Sequence, residues 1–333
     1  MTVKLAINGF GRIGRMVLRA LMDRPERDME VVAINDLAPL ETNAHLFEFD
    51  SVHGRYGHAV TIVDGTMDVG RGPIRVTAER EPDRLPWDDV DIALECTGFF
   101  RSPEQAARHL KNGAKRVLIS APAKGDIKTI VYGVNHALID ASDRIISNAS
   151  CTTNCLVPVA HVLHENFGII RGHMTTVHSY TGTQPVHDRA HDDLYRARAA
   201  ALSMIPTTTG AAETLGAVLP HLDGLITGTA VRVPVPNVSC VDLVVETVKH
   251  TTPDHVNEVM RSAAEGALAG VLGVTDRKLV SMDFNHDPRS AIHACDQTAI
   301  QQGNLLRVLA WYDNEWAFSN RMLDVARVIG ALI

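Results

Sequence analysis

The chain has 333 residues, a formal net charge of −7, 45% hydrophobic residues and 21% charged residues. That length exceeds one comfortable core, so two domains are expected, and the acidic balance argues against a general nucleic-acid binder while leaving room for a small anionic ligand. Five cysteines do not form the even set of a disulfide framework, no run of about 18 apolar residues calls for a membrane span, and the opening "MTVKLAINGFGRIGR" lacks a signal peptide's apolar stretch, so a cytoplasmic protein with no nucleic-acid or membrane partner is expected.

The first 36 residues predict strand, turn, helix and strand. "VKLAIN" (3–8) is a short apolar run, and "GFGRIG" (9–14) breaks it. "RIGRMVLRALMDR" (12–24) places Ile13, Val17 and Leu21 at helical spacing, and "EVVAIND" (30–36) is a second apolar run ending in an acid. "DIALECTG" (91–98) and "AKRVLIS" (114–120) predict parallel strands. Between them "SPEQAARHLKNG" (102–113) predicts a helix with Ser102 as cap, Pro103 behind it, Gln105 completing a capping box and Gly113 as the stop. Alternating strands and helices predict an α/β, Rossmann-type, doubly wound parallel sheet over residues 1–149.

After residue 150 the texture changes. "GHMTTVHSYT" (172–181), "TGTAVRVPV" (227–235) and "SCVDLVVETV" (239–248) are long β-rich runs, and "TPDHVNEVMRSAAEGAL" (252–268) predicts a helix capped by Thr252. An α+β domain on a largely antiparallel sheet is expected over 150–314, with a long functional loop at 181–204. The amphipathic helix in 315–333 is expected to pack back on the first domain.

Gly9, Gly11 and Gly14 form G-x-G-x-x-G after a strand and at the start of a helix, with Asp36 about twenty residues further on. Gly9 permits the tight turn, Gly11 lets the backbone approach a pyrophosphate, and Gly14 permits close helix–sheet packing. Asp36 suits two ribose hydroxyls and repels a 2′-phosphate, which favours NAD over NADP.

"SNASCTTNC" (147–155) raises a different chemistry. It predicts a strand, a sharp turn and a helix starting near Cys151. A thiol at a helix N-terminus is expected to have a lowered pKa, and the unpaired first-turn N–H groups can hold an oxyanion. In "MTTVHSY", Thr176, His178 and Tyr180 share one strand face, making His178 the candidate base. No second Cys or His pair stands at zinc-ligand spacing, so no metal is expected. Cys155, one turn further in, is expected to be a buried structural thiol.

The stretches "INGFGRIGR", "IND", "FDSVHG", "ECTGFF", "SNASCTTNC", "TTVHSYT", "RARAAA", "IPTTTGAA", "RVPVPNVS" and "WYDNEW" make the chain resemble the phosphorylating glyceraldehyde-3-phosphate dehydrogenase family over essentially its full length. The resemblance implies a catalytic thiol at Cys151, an activating base at His178, a nicotinamide contact at Asn314 and adenine-side contacts at Asp36, Arg80 and Ser120. Phe10, Arg12, Ile13, Asn35 and Thr97 are grouped with that cofactor site. The substrate phosphate is expected at Thr181 and Arg232. Inorganic phosphate is expected at Ser150, Thr152, Thr209 and Gly210, with Arg196 beside them. A homotetramer acting on a small phosphorylated aldehyde follows from the same resemblance.

Three positions depart from the family pattern. Glu213 stands where lysine is usual, and Arg189–Ala190 stands where strictly NAD-using members often have Leu-Pro, which leaves NADP as a poorer alternative cofactor. Erythrose-4-phosphate dehydrogenase shares the thiol and fold, but its pattern departs at the SYT and TTTG stretches, both intact here. A catalytically silent scaffold is the remaining alternative, though it has no need of Cys151, His178 and Asn314 together.

Overall fold

A computed structural model describes residues 2–333. The chain divides into two compact units, one formed by residues up to Ala149 together with Ser319–Ile333, the other by Ser150–Phe318.

The first unit is built on a nine-stranded sheet. Its order is Lys128–Thr129, Ile145–Ser147, Arg116–Ile119, Ile92–Glu95, Val3–Asn8, Met29–Asn35, Pro73–Thr77, Thr66–Asp68 and Thr61–Val63. The first seven run parallel, Thr66–Asp68 pairs antiparallel with Pro73–Thr77, and Thr61–Val63 pairs antiparallel with Thr66–Asp68. Central strands of such a sheet are covered on both faces and read as continuous apolar runs. Leu5, Ala6, Ile7, Ile92, Ala93 and Leu94 are accordingly fully buried. In-register pairing of Asn8 with both Asn35 and Glu95 brings three polar residues to the carboxyl edge, the edge where open α/β sheets bind ligands.

The helix Arg12–Asp23 starts directly after the glycine turn. Residues 102–113 are not one α-helix. The capping box of Ser102 and Gln105 forms, but only Pro103–Ala106 is α-helical, and Ala107–Asn112 tightens into a 3₁₀ turn closed by left-handed Gly113. A Cβ at Gly113 would lie 2.5 Å from the Asp88 Cα, so the chain must pass there without a side chain. The helix Trp316–Gly330 is tied to the first unit's other elements by Arg24–Asp324 at 2.8 Å and Arg327–Asp28 at 2.5 Å.

The second unit carries an eight-stranded sheet. Its order is Ile205–Thr207, Ile226–Val233, Ile169–Ser179, Ser239–Thr247, Leu305–Tyr312, Ala291–Ala294 and Leu272–Thr275, with Ala299–Gln301 beside Leu305–Tyr312. Only Ile169–Ser179 with Ile226–Val233, and Leu272–Thr275 with Ala291–Ala294, pair in parallel. The helices Cys151–Phe167 and Pro253–Glu265 belong to the same unit, the latter capped by the Thr252 hydroxyl. Residues 180–204 form turns and bends without helix or strand. The Asp188 carboxylate holds that loop by accepting from Ala199 N at 2.9 Å and Arg198 Nε at 2.8 Å.

"FDSVHG" has a clear local role. Asp50, its side chain 1% exposed, accepts from the backbone N–H of Val52 and His53 and pairs with Arg12 of the glycine loop. Burial alone would raise this carboxyl, but Arg12 and the two N–H groups outweigh it and hold it at about 2. A depressed carboxyl stabilises the fold above the ordinary carboxylate value and loses that contribution as pH falls from about 4 to about 2. Asp50→Asn is therefore expected to cost about 2 kcal/mol at neutral pH, with the deficit shrinking toward pH 2. Denaturant unfolding at a series of pH values checks this, and a deficit independent of pH would refute it.

Candidate active site

In the first unit a groove of about 460 Å³ lies over the sheet's carboxyl edge, lined among others by Gly9, Gly11, Asn35, Asp36, Arg80 and Thr97. Each fingerprint glycine meets a different constraint. Gly9 has φ +91°, and a Cβ there would meet Thr97 N at 2.8 Å. A Cβ at Gly14 would lie 2.2 Å from the Gly9 carbonyl oxygen, so this glycine lets the helix close onto the turn. A Cβ at Gly11 would meet nothing within 4 Å. Gly11 therefore faces open space at a helix start, the place a pyrophosphate takes in this architecture.

Asp36 clamps this loop. Its Oδ2 accepts from Phe10 N at 2.8 Å and its Oδ1 from Ala38 N at 2.9 Å. Each oxygen keeps a second acceptor direction for ribose hydroxyls. Asn35 is buried and bonded to Asn8, while Ile13 and Ser120 are half-buried and Arg80 is exposed. Arg12 is engaged with Asp50. These residues fit an adenine dinucleotide.

The first unit's strand Ile145–Ser147 leads through Ala149, at φ 58°, to Ser150, the first residue of the second unit. The Ser150 Oγ accepts from Thr153 N at 3.1 Å and caps the helix, so Cys151 is its first residue. The cap leaves the N–H groups of Cys151 and Thr152 turned to the sulfur, where they favour a thiolate. Cys151 Sγ lies 3.5 Å from His178 Nε2.

The His178 ring is fixed on its other side. Nδ1 donates to the Ser179 carbonyl at 2.7 Å, which leaves the Nε2 lone pair toward the sulfur. Parallel register sets Arg232 opposite His178, and its guanidinium donates to the same carbonyl at 2.9 Å and lies 2.9 Å from Nδ1. Burial, with the Arg232 charge adding to it, pushes His178 down to about 3. Burial also pushes the Cys151 thiol up, against the opposing pull of Arg232 and Thr152. The resting pair is a neutral thiol beside a neutral imidazole, not the lowered thiol expected from the helix terminus, because burial outweighs the nearby positive groups. Cys155 is fully buried, its thiol raised well above the ordinary value.

The expected anion-binding residues lie in the same unit with their side chains variously engaged. Thr181 Oγ1 is 3.1 Å from Thr183 Oγ1. Arg196 donates to Thr207 Oγ1 at 2.8 Å, and Thr209 Oγ1 accepts from Ala211 N at 3.3 Å beside the helix Ala211–Val218, whose cap is Gly210. The Thr152 hydroxyl is buried and bonded to Tyr312 OH at 2.9 Å.

Three groups escaped the sequence reading. Tyr312 OH joins Thr152 and Thr176, at 2.9 and 3.0 Å, and its ring stands edge-on to His178. The hydroxyls of Ser179 and Ser239 both donate to Asn314 Oδ1 at 2.9 Å, which fixes the orientation of the amide. Buried Asp313 accepts from Glu315 N, Trp316 N, His286 N and Asn237 Nδ2, holding the turn that bears Asn314. Strand alternation could have paired Thr176 with His178, but not either with Tyr312 130 or more positions away in the chain.

A fingerprint groove on one unit and a cysteine against a histidine on the other define a dinucleotide-dependent oxidoreductase. A family model described as the NAD binding domain of glyceraldehyde 3-phosphate dehydrogenase matches residues 3–103, and one for the C-terminal domain of the same enzyme matches 150–314. A glyceraldehyde-3-phosphate dehydrogenase of Cereibacter sphaeroides is 61% identical over 333 residues, covering 100% of both chains. Those of Xanthobacter flavus and Geobacillus stearothermophilus are 59% and 52% identical over 334 residues, covering 100% and 99% of each chain respectively. The chain belongs to the glyceraldehyde 3-phosphate dehydrogenase family. It is an oxidoreductase, and NAD is its cofactor.

The glycine geometry separates folding from binding. Gly11→Ala is expected to keep the wild-type melting temperature yet bind NAD at least tenfold more weakly, whereas Gly14→Ala is expected to cost roughly 1–3 kcal/mol of stability. Calorimetric titration beside thermal unfolding tests the contrast, and a Gly11→Ala chain with wild-type affinity would contradict it.

Proposed function

We propose that the chain oxidises glyceraldehyde 3-phosphate and phosphorylates the product to 1,3-bisphosphoglycerate, through a hemithioacetal and a thioester on Cys151. The observation that supports this most is the 3.5 Å approach of Cys151 Sγ to a His178 ring whose Nδ1 proton is already committed to Ser179. Neutral His178 takes the thiol proton as sulfur attacks the aldehyde carbon, and returns it to the aldehyde oxygen. Arg232 beside Nδ1 makes the imidazolium a ready donor. The first-turn N–H groups of Cys151 and Thr152 hold the developing oxyanion. His178, neutral again, takes the hemithioacetal hydroxyl proton as the carbon gives up hydride. NAD, when bound, supplies the hydride acceptor. Phosphate then attacks the thioester carbon, and the sulfur leaves as the thiolate that His178 reprotonates.

Thr181 and Arg232 are assigned to the substrate phosphate. Ser150, Thr152, Thr209, Gly210 and Arg196 are assigned to inorganic phosphate, and Asn314 to the nicotinamide. Hydroxyl, amide N–H and guanidinium donors suit phosphate oxygens. Self-association into a homotetramer is supported by the large apolar side chains that the 181–204 segment leaves to solvent, Leu194 at 82% and Leu202 at 80% exposure.

The deciding assay supplies glyceraldehyde 3-phosphate or erythrose 4-phosphate, each with NAD or NADP, with and without phosphate. Phosphate-dependent turnover of the first aldehyde is expected to dominate, and a preference for erythrose 4-phosphate would overturn the substrate assignment. Cys151→Ser should abolish oxidation while Cys155→Ser keeps most of it. His178→Asn should lower kcat on the order of a hundredfold, the usual scale for losing a general acid–base. Near-normal turnover there would remove His178 from the mechanism. Asp36→Ala should narrow the preference for NAD, chiefly by strengthening NADP binding, since like charges in such a site cost several kcal/mol. A wild-type kcat/KM higher with NADP than with NAD would show that another element selects the coenzyme.

A further inference from the structure

The cofactor groove rests on a buried carboxylate to which the glycine fingerprint gives no role. Glu95 ends the strand Ile92–Glu95 and is fully buried. A carboxylate is tolerated there only if both oxygens are supplied with donors. Oε1 takes the Thr97 backbone N–H at 2.8 Å and the Thr97 hydroxyl. Oε2 takes Asn8 Nδ2 at 2.7 Å and faces His109 Nε2 at 2.8 Å.

Each of these bonds holds part of the groove wall. Asn8 Oδ1 accepts from Asn35 Nδ2 at 2.8 Å, and Asn35 Oδ1 accepts from Glu79 N at 2.8 Å and the Thr77 hydroxyl at 2.9 Å. The Thr97 hydroxyl accepts in turn from Phe99 N at 3.1 Å. Thr97 N is also the atom that a Cβ at Gly9 would strike. Asn8, Gly9, Asn35, Glu79 and Thr97 all line the groove. One carboxylate thus sets the ends of two neighbouring strands and the turn against which the phosphate loop packs.

His109 fixes that carboxylate from behind. It is fully buried, stacked on Trp87 with centroids 5.2 Å apart, and meets Phe100 edge-on at 6.1 Å. Its Nδ1 has no hydrogen-bond partner. For packing alone a phenylalanine would fill this aromatic box without an unsatisfied nitrogen. The one polar contact that accounts for an imidazole here is the one to Glu95.

We infer that Glu95 and His109 are positioning residues of the NAD site, the carboxylate fixing the Thr97 turn and the Asn8–Asn35 pair and the imidazole fixing the carboxylate, so that the groove is pre-formed for the dinucleotide. This rests on the reading of the groove as the NAD site. Pre-organisation of this kind appears in affinity for the ligand. A glutamine at 95 cannot substitute. An amide has one acceptor oxygen, so in either orientation its NH₂ confronts a fixed donor, the Thr97 N–H or Asn8 Nδ2.

The test is calorimetric titration of NAD into the wild-type chain and the variants Glu95→Gln, His109→Gln and His109→Phe, below the first thermal transition of each. His109→Phe and Glu95→Gln are expected to bind NAD on the order of tenfold or more weakly, the scale of a lost bond to a charged group. His109→Gln, which keeps a donor toward Oε2, should recover most of that loss. In turnover assays the KM for NAD should rise while kcat at saturating NAD stays within about threefold. His109→Phe binding like wild type, or His109→Gln binding as weakly as His109→Phe, overturns the inference even if Glu95→Gln fails to fold. A wild-type chain that takes no NAD would remove the cofactor reading itself, an outcome distinct from normal wild-type binding with an unaffected His109→Phe.

Discussion

Sulfur and imidazole nitrogen meet at 3.5 Å only because two unrelated local structures end at the right residues. The helix must begin at Cys151 and not one position later, since each residue of slip turns a side chain by 100° about the axis. That start is enforced twice. Ala149 at φ 58° turns the chain sharply, in a left-handed conformation that side chains seldom adopt, and alanine is the smallest residue with a Cβ that can take it. Ser150 then caps the first turn. On the other side, parallel pairing sets His178 opposite Arg232. A one-residue slip of either strand would send its own member of the pair to the far face of the sheet. The pair's electrostatics follow from this placement, because burial and a guanidinium on the Nδ1 side are what keep the imidazole neutral and able to accept a proton.

Both units handle buried polarity alike. A single acidic residue at a strand end gathers several donors and so fixes the backbone that bears a functional group. Asp313 does this for Asn314, and two serine hydroxyls then determine which way its amide points. Asp50 does it for the Arg12 end of the glycine loop, and Glu95 for the turn at Thr97. Hydrogen bonds to charged acceptors are the stronger ones, and leaving such a group unmet costs more than forming it gains. A site held this way is rigid before its ligand arrives.

Much of this was legible in the residues. The strand 3–8, the helix opening at Cys151 and the Thr252-capped helix read correctly because apolar periodicity, cap chemistry and glycine stops agreed. Residues 102–113 misled because a capping box reports how a helix starts, not whether it stays α-helical. There His109 docks onto Glu95 and Trp87, contacts that no local pattern encodes. Tyr312, Ser239 and His109 were invisible for one reason: each acts across a sheet or a crossover, and hydrophobic pattern carries no information about which polar side chains face one another. The thiol's electrostatics failed for a related cause. A helix terminus can be read from sequence, whereas the burial that opposes it depends on everything packed around Cys151.

Glu213 shows two demands meeting at one helix end. It lies in the first turn of Ala211–Val218, and its Oε2 stands 4.0 Å from where a Gly210 Cβ would sit. An acid in a first turn stabilises a helix, by roughly 0.3–1 kcal/mol, through the partial positive charge of the unpaired N–H groups. Those same N–H groups are the feature that suits Gly210 to the proposed phosphate role. Glu213 therefore supplies intramolecularly the negative charge that a bound anion would otherwise supply. Because the side chain is exposed, the repulsion it exerts on an arriving phosphate is screened within about 8–10 Å at ordinary ionic strength. Its carboxylate can also swing away, since no described residue bonds it in place, while the N–H groups stay where the helix holds them. At the proposed phosphate position the charge reversal would therefore be a weak, salt-sensitive opposition and not a loss of the donors themselves.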